Sequence, residues 1–587
     1  MKKISGVIGL TALLFVLGHG QAFIHQKLAS GFSNLGTGLL TPEGFPYWSG
    51  ALTSSPNNLD IFRLSTANNL TASLLGSTRL AYPVDFHPTA GLLWEGSGTA
   101  TGGVFDVFVN ATNISASVLG SGRFVIAFRF TPDGQPIWYG SGLNNSNQLD
   151  IFRGSTNLTS SVLGASGRDA VPMAINANNF LLWDGTGTVN TGNRDVFRTN
   201  LNTNATTNLS QSVLGTSRFA IAMALNATND AVWYGSGSSN GGFNDVFFNS
   251  TNVSLSVIGS GNINNARDGI AFGVSGNNVL WQGRTGASPS FYDTYATTIG
   301  GGTQNLSSSE LGTGRDSLPI AISNAAILWE GTGSSTGYNY DVFVSTPTAT
   351  RNLCTNRFTS GAREGQGHAI YSSGNAFWTG KHATTSNVYN LFHYRWSANQ
   401  STNLTQEAVG AARESLYLAS NSSEQVLWAV RNSAGTEWEV YLSTPNAPTT
   451  LQGTVAGFPG NPSSVQLIVQ LIDPITGAVA HTHTTNLTPS STYSVSVTPG
   501  LWRLRIRADR SLARAFDERR LLGTVTLNLD LIPGDVNGDN VIDDADLLEI
   551  LFNFGNNTTA PVDVNADGVV DDADLLIVLF NFGATGE

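Results

Sequence analysis

The chain has 587 residues, and only 12% of them are charged. That length exceeds what one hydrophobic core fills, so several domains or a repeat architecture are expected. The acidic excess is local: residues 533–587 hold twelve Asp and Glu and no Lys or Arg, which leaves 41 − 12 = 29 acidic against 29 basic elsewhere, and this argues against a nucleic-acid partner and points to a cation at the C-terminus.

Lys2 and Lys3 precede an apolar stretch from Ile4 to Leu17, and Gly20-Gln21-Ala22 puts small residues where a signal peptidase cuts. Residues 1–22 therefore read as a secretory signal, with a retained anchor as the alternative. The stretch is short for a membrane span, and no transmembrane segment is expected in the mature chain. The chain is expected to start near Phe23 after export and to be secreted or extracellular, associated with a cell surface. Cys354 is the single cysteine, so no disulfide framework forms. It stands where sister repeats carry Thr or Ser, and reads as a packed thiol in place of a hydroxyl.

From residue 23 to 444 one unit recurs. Its marks are Trp48, Trp94, Trp138, Trp183, Trp233, Trp281, Trp329, Trp378 and Trp428, spaced 44 to 50 residues apart and, except for the last, followed by one residue and Gly. Ten to fourteen residues later comes Asp-(Val/Ile)-Phe, with Asp60, Asp106, Asp150, Asp195, Asp245 and Asp341 leading the clear copies. An Asn-Leu-Thr-like stretch follows, as in Asn157-Leu158-Thr159, and an arginine closes each unit: Arg79, Arg123, Arg168, Arg218, Arg267, Arg315, Arg363 and Arg413. In the third unit the apolar runs Phe124–Phe130, Pro136–Tyr139, Leu149–Phe152 and Leu158–Leu163 read as four strands. Four strands in about 46 residues, repeated, predict a β-propeller of eight or nine blades, in which Trp and Phe fill the spaces between blades. Residues 23–33 are available as a closing strand, because the ninth unit lacks its Asn-Leu-Thr stretch.

Thr131-Pro132-Asp133-Gly134, Asp150-Ile151-Phe152 and Asn157-Leu158-Thr159 resemble the repeat of TolB-type propellers. That resemblance spans about residues 30 to 444 and implies the fold, not an activity. An Asp that recurs once per blade suits a structural bond or a pair with the repeat arginine. Residues that break the repeat are better catalytic candidates, and these are Glu364, His368 and His393 in the eighth unit. The chain has no sialidase Asp-box, no Ser-centred elbow and no His-Glu-x-x-His.

Residues 445–532 lose the period. Leu451–Val455, Val465–Ile472, Ala478–Thr485, Tyr493–Val497, Leu501–Ala508 and Gly523–Leu531 alternate like half-buried strands and predict a small β-sandwich. Leu451-Gln452-Gly453-Thr454-Val455 and Pro499-Gly500-Leu501-Trp502 resemble carboxypeptidase-regulatory or prealbumin-like domains, which implies a spacer or adhesive role. His481 and His483 share a strand face, but no third metal ligand accompanies them. Arg503, Arg505 and Arg507 share another, which is open to an acidic partner or glycan but reads first as a solvated face.

Residues 533–587 carry the most specific chemistry. In the first loop, oxygen donors fall at positions one, three, five, nine and twelve: Asp535, Asn537, Asp539, Asp543 and Asp546, with the carbonyl of Val541 at seven. The second loop repeats this with Asp563, Asn565, Asp567, the carbonyl of Val569, Asp571 and Asp574. That spacing wraps a hard cation in six or seven oxygens, so two calcium ions are expected. Helices are predicted over Leu547–Phe554 and Leu575–Phe582, with Gly555 and Gly583 as C-caps. The halves are 28 residues apart, and folding is expected to be coupled to the metal.

Pro533 and Pro561 stand where an EF-hand would have its first helix, and Asp replaces Glu at position twelve. Both features resemble type I dockerins, which plug into cohesins and attach their carriers to a scaffold. At the positions where that family reads its partner this chain has Asp544-Ala545 and Asp572-Ala573, not Ser-Thr pairs, and neither helix carries Lys or Arg. A cohesin-like or other surface or scaffold partner is expected through residues 533–587, with a glycan or protein ligand on the propeller. The functional alternatives are a polysaccharide-acting hydrolase and a structural surface or matrix component.

Overall fold

The computed structural model describes residues 22–259, 268–284, 291–324, 326–358, 361–385, 387–458 and 460–587. The expected signal up to residue 21 and Arg267 lie outside the described residues. The described chain is mainly β. Seven four-stranded antiparallel sheets follow one another between Leu80 and Asn403, and a seven-stranded sheet joins the two ends of the repeat region.

Phe23–Leu40 makes that join. Its first half pairs antiparallel with Trp438–Pro445, and its second half with Pro46–Leu52. The N-terminus thus supplies the outer strand of the last group and the inner strand of the first. Elsewhere successive groups are linked by single parallel bridges, such as Leu149 to Asp169 and Tyr340 to Glu364. The architecture is that of a propeller.

The third unit shows why the motif recurs. Ile137 and Trp138 point to opposite faces of one strand, yet neither is exposed, because a neighbouring sheet covers each face. Trp138 packs with Leu93 and Val107 of the preceding unit, and Ile137 with Leu163, Ala170 and Trp183 around the following one. The indole stacks on its cross-strand neighbour Phe152 at 4.4 Å and donates to the carbonyl of Gly154. Gly140 is required beside it, since a Cβ there would sit 2.5 Å from the carbonyl of Phe124.

The fourth apolar run is not a strand. Only Thr156–Asn157 pairs as one, and Ser160–Leu163 is a single helical turn that inserts Leu163 into the core between sheets. Asn157 dictates this outcome: its side-chain oxygen accepts the N–H groups of Thr159 and Ser160, which ends the ladder and starts the turn. The Thr159 hydroxyl donates to Asp150 and accepts the N–H of Ile151, and Arg168 grips the same carboxylate with two bonds of 2.7 and 2.8 Å. Asp, hydroxyl and Arg thus form one buried knot. Equivalent Asp–Arg pairs join Asp60 to Arg79, Asp106 to Arg123, Asp195 to Arg218, Asp293 to Arg315 and Asp341 to Arg363. In the seventh unit Cys354 takes the hydroxyl's place, fully buried, with its sulfur facing the N–H of Val342. Burial pushes its thiol well up, so it is a packing group.

Two sets of carboxyls in this region predict a pH profile. Burial works to raise Asp60, Asp195 and Asp293, but the bonds from arginine, asparagine and hydroxyl hold all three below the usual 3.8. Glu95, Asp184 and Glu330 instead reach across to the next sheet and accept the N–H of Ala127, Ala222 and Gly367. Burial pushes these three up, Asp184 to about 6. A lowered carboxyl adds stability above the unfolded pKa, and that stability is lost as pH falls through the folded value. A raised one adds stability at low pH, and it is lost as pH rises through the folded value. Asp184 is expected to cost up to about 3 kcal/mol as pH rises from 4 to 7, while His368, which burial lowers to about 4, returns stability over the same range. The melting temperature followed by tryptophan emission is therefore expected to drop below pH 4, and Asp184→Asn should gain stability relative to the parent as pH rises from 4 to 7. A difference between the two that does not change with pH would remove Asp184 from this role.

Beyond Pro445, two sheets pack face to face: Thr450–Ala456 with Thr492–Ser496, Thr524–Thr526 and Leu529–Asp530, against Gln466–Ile472 with Val479–Asn486, Gly500–Ala508 and Arg514–Leu521. The expected strand over Gly523–Leu531 is two short pieces. Arg514–Leu521 is a strand that its charged sequence concealed. It lies at the sheet edge, and every residue in it except Leu521 is at least partly exposed, so no apolar alternation marks it. No helix among the described residues is long and apolar enough to cross a membrane.

Candidate metal centre

Both acidic loops fold alike. The backbone is left-handed at positions four and six in each: Gly538 and Asn540 have φ of 79° and 73°, and Ala566 and Gly568 have 61° and 96°. Asn and Gly tolerate this, and Ala566 does so at a cost. The turns aim side-chain oxygens inward. Asp535 accepts the N–H groups of Gly538 and Asn540, and Asp563 those of Asp567 and Gly568. Asp539 and Asp567 accept from Val541 and Val569 two residues on.

Position nine is also a helix cap. Asp543 and Asp571 have φ of −141° and cap Asp544–Asn553 and Asp572–Phe580, while Asp546 and Asp574 reach back to the cap N–H in a reciprocal box. Each helix starts three residues before its expected bound and ends one or two short of it. Gly555 and Gly583 do not cap their own helices. The N–H of Gly555 donates to the carbonyl of Val570, and that of Gly583 to Ile542. Each half thereby holds the other at loop position eight, a 28-residue exchange that the sequence duplication hints at but does not specify.

Asp535, Asp546, Asp563 and Asp574 are completely buried. Burial pushes Asp535 and Asp563 up, and the negative charges of Asp546 and Asp574 add to it against the N–H bonds. Burying ionised carboxylates side by side is costly without a cation. The donor set is oxygen-only, with carboxylates, amide oxygens and the carbonyls of Val541 and Val569, which suits a hard cation and not a thiophilic one. Among the described residues, three or more His, Cys, Asp or Glu do not converge as a ready metal cage. The carboxylates face backbone N–H groups instead, and each retains lone pairs beyond those bonds.

The loops are also built into the sandwich. Leu512 of the sandwich lies in the core formed by Val536, Ile542, Ile550, Val564, Val570 and Val578, and Ala566 of the second loop lies in the sandwich core. Arg507 lies 3.9 Å from Asp535 and donates to the carbonyl of Gly538, so it is not simply a solvated face. Arg510, completely buried against the second loop, escaped the sequence reading because nothing in Asp509-Arg510-Ser511 marks it as more than a turn.

The other candidates do not assemble. Glu364 bonds Lys381 at 2.7 Å and receives the Tyr389 hydroxyl. His368, four residues along the same strand, bonds Thr379 and lies flat on Tyr417, and burial lowers it to about 4. His393 pairs with Glu424 at 2.8 Å. Each has its own partner. His481 and His483 stack at 6.2 Å, with His481 edge-on to Trp502.

No protein-family model and no curated protein matches the chain. Among solved structures, it is similar to a chain of a type II cohesin–X–dockerin complex from Acetivibrio cellulolyticus, at 20% identity over 24% of this chain and 97% of that one, with a TM-score of 0.19. It is also similar to prolyl oligopeptidase B of Galerina marginata, at 12% identity over 74% of this chain and 59% of that one, TM-score 0.34. A third is an oligogalacturonate lyase from Vibrio parahaemolyticus, at 9% identity over 62% and 96%, TM-score 0.27.

Proposed function

We propose that this chain is an exported, non-catalytic binding protein. A propeller of nine blades presents a protein or glycan ligand, and a calcium-dependent, dockerin-like module attaches the chain to a cohesin-like or other surface or scaffold protein. The observation that carries the reading is the duplication of the C-terminal module in both its interior and its exterior. The same cap geometry recurs at both loops, and the same apolar residues recur outside: Leu548, Leu551 and Phe552 on one helix, Leu576, Leu579 and Phe580 on the other. Phe552 is 82% exposed and Phe580 78%, which is too much for core residues and suits an apolar partner. Among the described residues, Asp60, Asp106, Asp150, Asp195, Asp293 and Asp341 are engaged in Asp–Arg pairs, which suits a structural role. Seven four-stranded sheets plus the two groups sharing Phe23–Leu40 support nine blades.

Titration of calcium into chelator-treated full-length protein tests the reading. Two bound ions are expected, and none for Asp539→Ala combined with Asp567→Ala. Binding to any cohesin or envelope protein captured in calcium should fall at least tenfold for Phe552→Asp combined with Phe580→Asp. Fewer than two ions in the parent protein would sink the calcium assignment. A captured partner indifferent to both phenylalanines would sink the docking face.

A further inference from the structure

The two loops match residue for residue, but their surroundings differ. Arg510 is completely buried against the second loop. It donates to the carbonyl of Asp563 at 2.5 Å, to that of Thr559 at 3.1 Å and to that of Ser464 at 3.4 Å. Its remaining bond, of 3.0 Å, goes to the carboxylate of Asp509. A second strap lies alongside. The N–H of Gly460 donates to the carbonyl of Asn565 at 2.9 Å, and that of Asn461 to the carbonyl of Ala566 at 2.5 Å. The sandwich therefore ties the backbone of this loop at positions one, three and four. The tie at position four falls on Ala566, whose backbone is left-handed.

The first loop is held differently. Of the corresponding carbonyls, that of Gly538 accepts from Arg507 at 3.2 Å. The other tie from the sandwich, the N–H of Ala513, goes to the side chain of Asn540 and not to loop backbone. The Arg507 side chain is one-third exposed and stands 3.9 Å from the Asp535 carboxylate. Arg510 also places a positive charge within reach of the Asp563 carboxylate, but Asp509 at 3.0 Å offsets it and its main-chain bonds order the loop. The charge of Arg507 is directed at a ligand carboxylate, so a cation entering the first loop meets a like charge a few ångströms away.

From this asymmetry we infer that the calcium sites are inequivalent: the sandwich pre-builds the second loop, which fills first and holds calcium more tightly, while Arg507 makes the first loop the weaker site. The inference rests on the calcium reading above. Pre-organisation raises affinity by removing the ordering cost of binding, and the competing guanidinium lowers it. Both act in the same direction, and a separation of at least tenfold in Kd is expected. The consequence is a graded docking face. The helix Asp572–Phe580, capped by Asp571, stands at low calcium, whereas Asp544–Asn553, capped by Asp543, is completed only when calcium is high.

Titration of the full-length chain with calcium, read by calorimetry and by terbium luminescence, tests this. The parent protein should show two steps at least tenfold apart. Asp539→Ala should remove the weak step and Asp567→Ala the tight one. Arg507→Gln should tighten the weak step at least threefold without moving the tight one, and Arg510→Leu should weaken the tight step. Because Arg510→Leu could unfold the module, Arg507→Gln, at a part-exposed side chain, decides the case independently. Two equal steps, a tight step lost with Asp539→Ala, or an unmoved weak step in Arg507→Gln would overturn the inference. Absence of any calcium binding would instead overturn the reading it rests on.

Discussion

Chelating calcium from the full-length chain is expected to unfold residues 535–587 and loosen the sandwich, while the tryptophan-rich ring stays folded. Without a cation, each loop keeps two fully buried carboxylates beside each other, and a module of this size has little apolar core to offset them. At a calcium concentration a hundred times Kd, each site adds about 2.7 kcal/mol, so two add about 5. That is comparable to the whole stability of a small module. The loss should not stop at Pro533, because Leu512 and Ala566 cross between the two cores. Hydrogen exchange with and without chelator provides the measurement. The amides of Ile542 and Val570, which bond across the halves, should lose protection by a factor of a thousand or more. Tryptophan emission should barely move, since eleven of the 12 tryptophans precede Pro445 and none follows Ile532. Unchanged protection at Ile542 and Val570 in chelator would contradict metal-coupled folding.

Replacing Arg168 by Leu is expected to destabilise the ring by about 3–5 kcal/mol, because it strands a fully buried carboxylate. Asp150 would keep the Thr159 hydroxyl and the Asn145 amide but lose both charge-assisted bonds. Adding Asp150→Asn should recover at least half of the loss. The eighth unit supports that expectation, for Asn390 stands at the Asp position there and its Thr405 bonds Ser415 instead. Denaturant unfolding of the parent, the single variant and the double variant gives the comparison. A cost below about 1 kcal/mol for Arg168→Leu would rank the knot with ordinary surface pairs.

Much of this was legible from residue spacing. A Trp every 44 to 50 residues, followed by Asp and Phe, announces stacked sheets, because only sheets covered on both faces bury Trp138 and Ile137 together. The hydroxyl role of the Asn-Leu-Thr stretch was readable through Cys354, a lone thiol among Ser and Thr. The same stretch misled as a strand, since apolar runs of four to six residues carry no period that separates a strand from a helical turn. The decision lay in the Asn157 side chain, whose bonds to the next two amides end the ladder locally.

At the C-terminus the division is sharper. Spacing and duplication by themselves marked two loops of equal length and the helix after each, because loops of the same sequence turn alike and an Asp at position nine caps its own helix. Those are contacts between near neighbours. What only the tertiary structure decided is what surrounds the loops: Arg510 beneath the second, Arg507 beside the first, and glycines that bond across the halves. These contacts join residues well separated in the chain, and no periodicity records which arginine of the sandwich will meet which acidic loop.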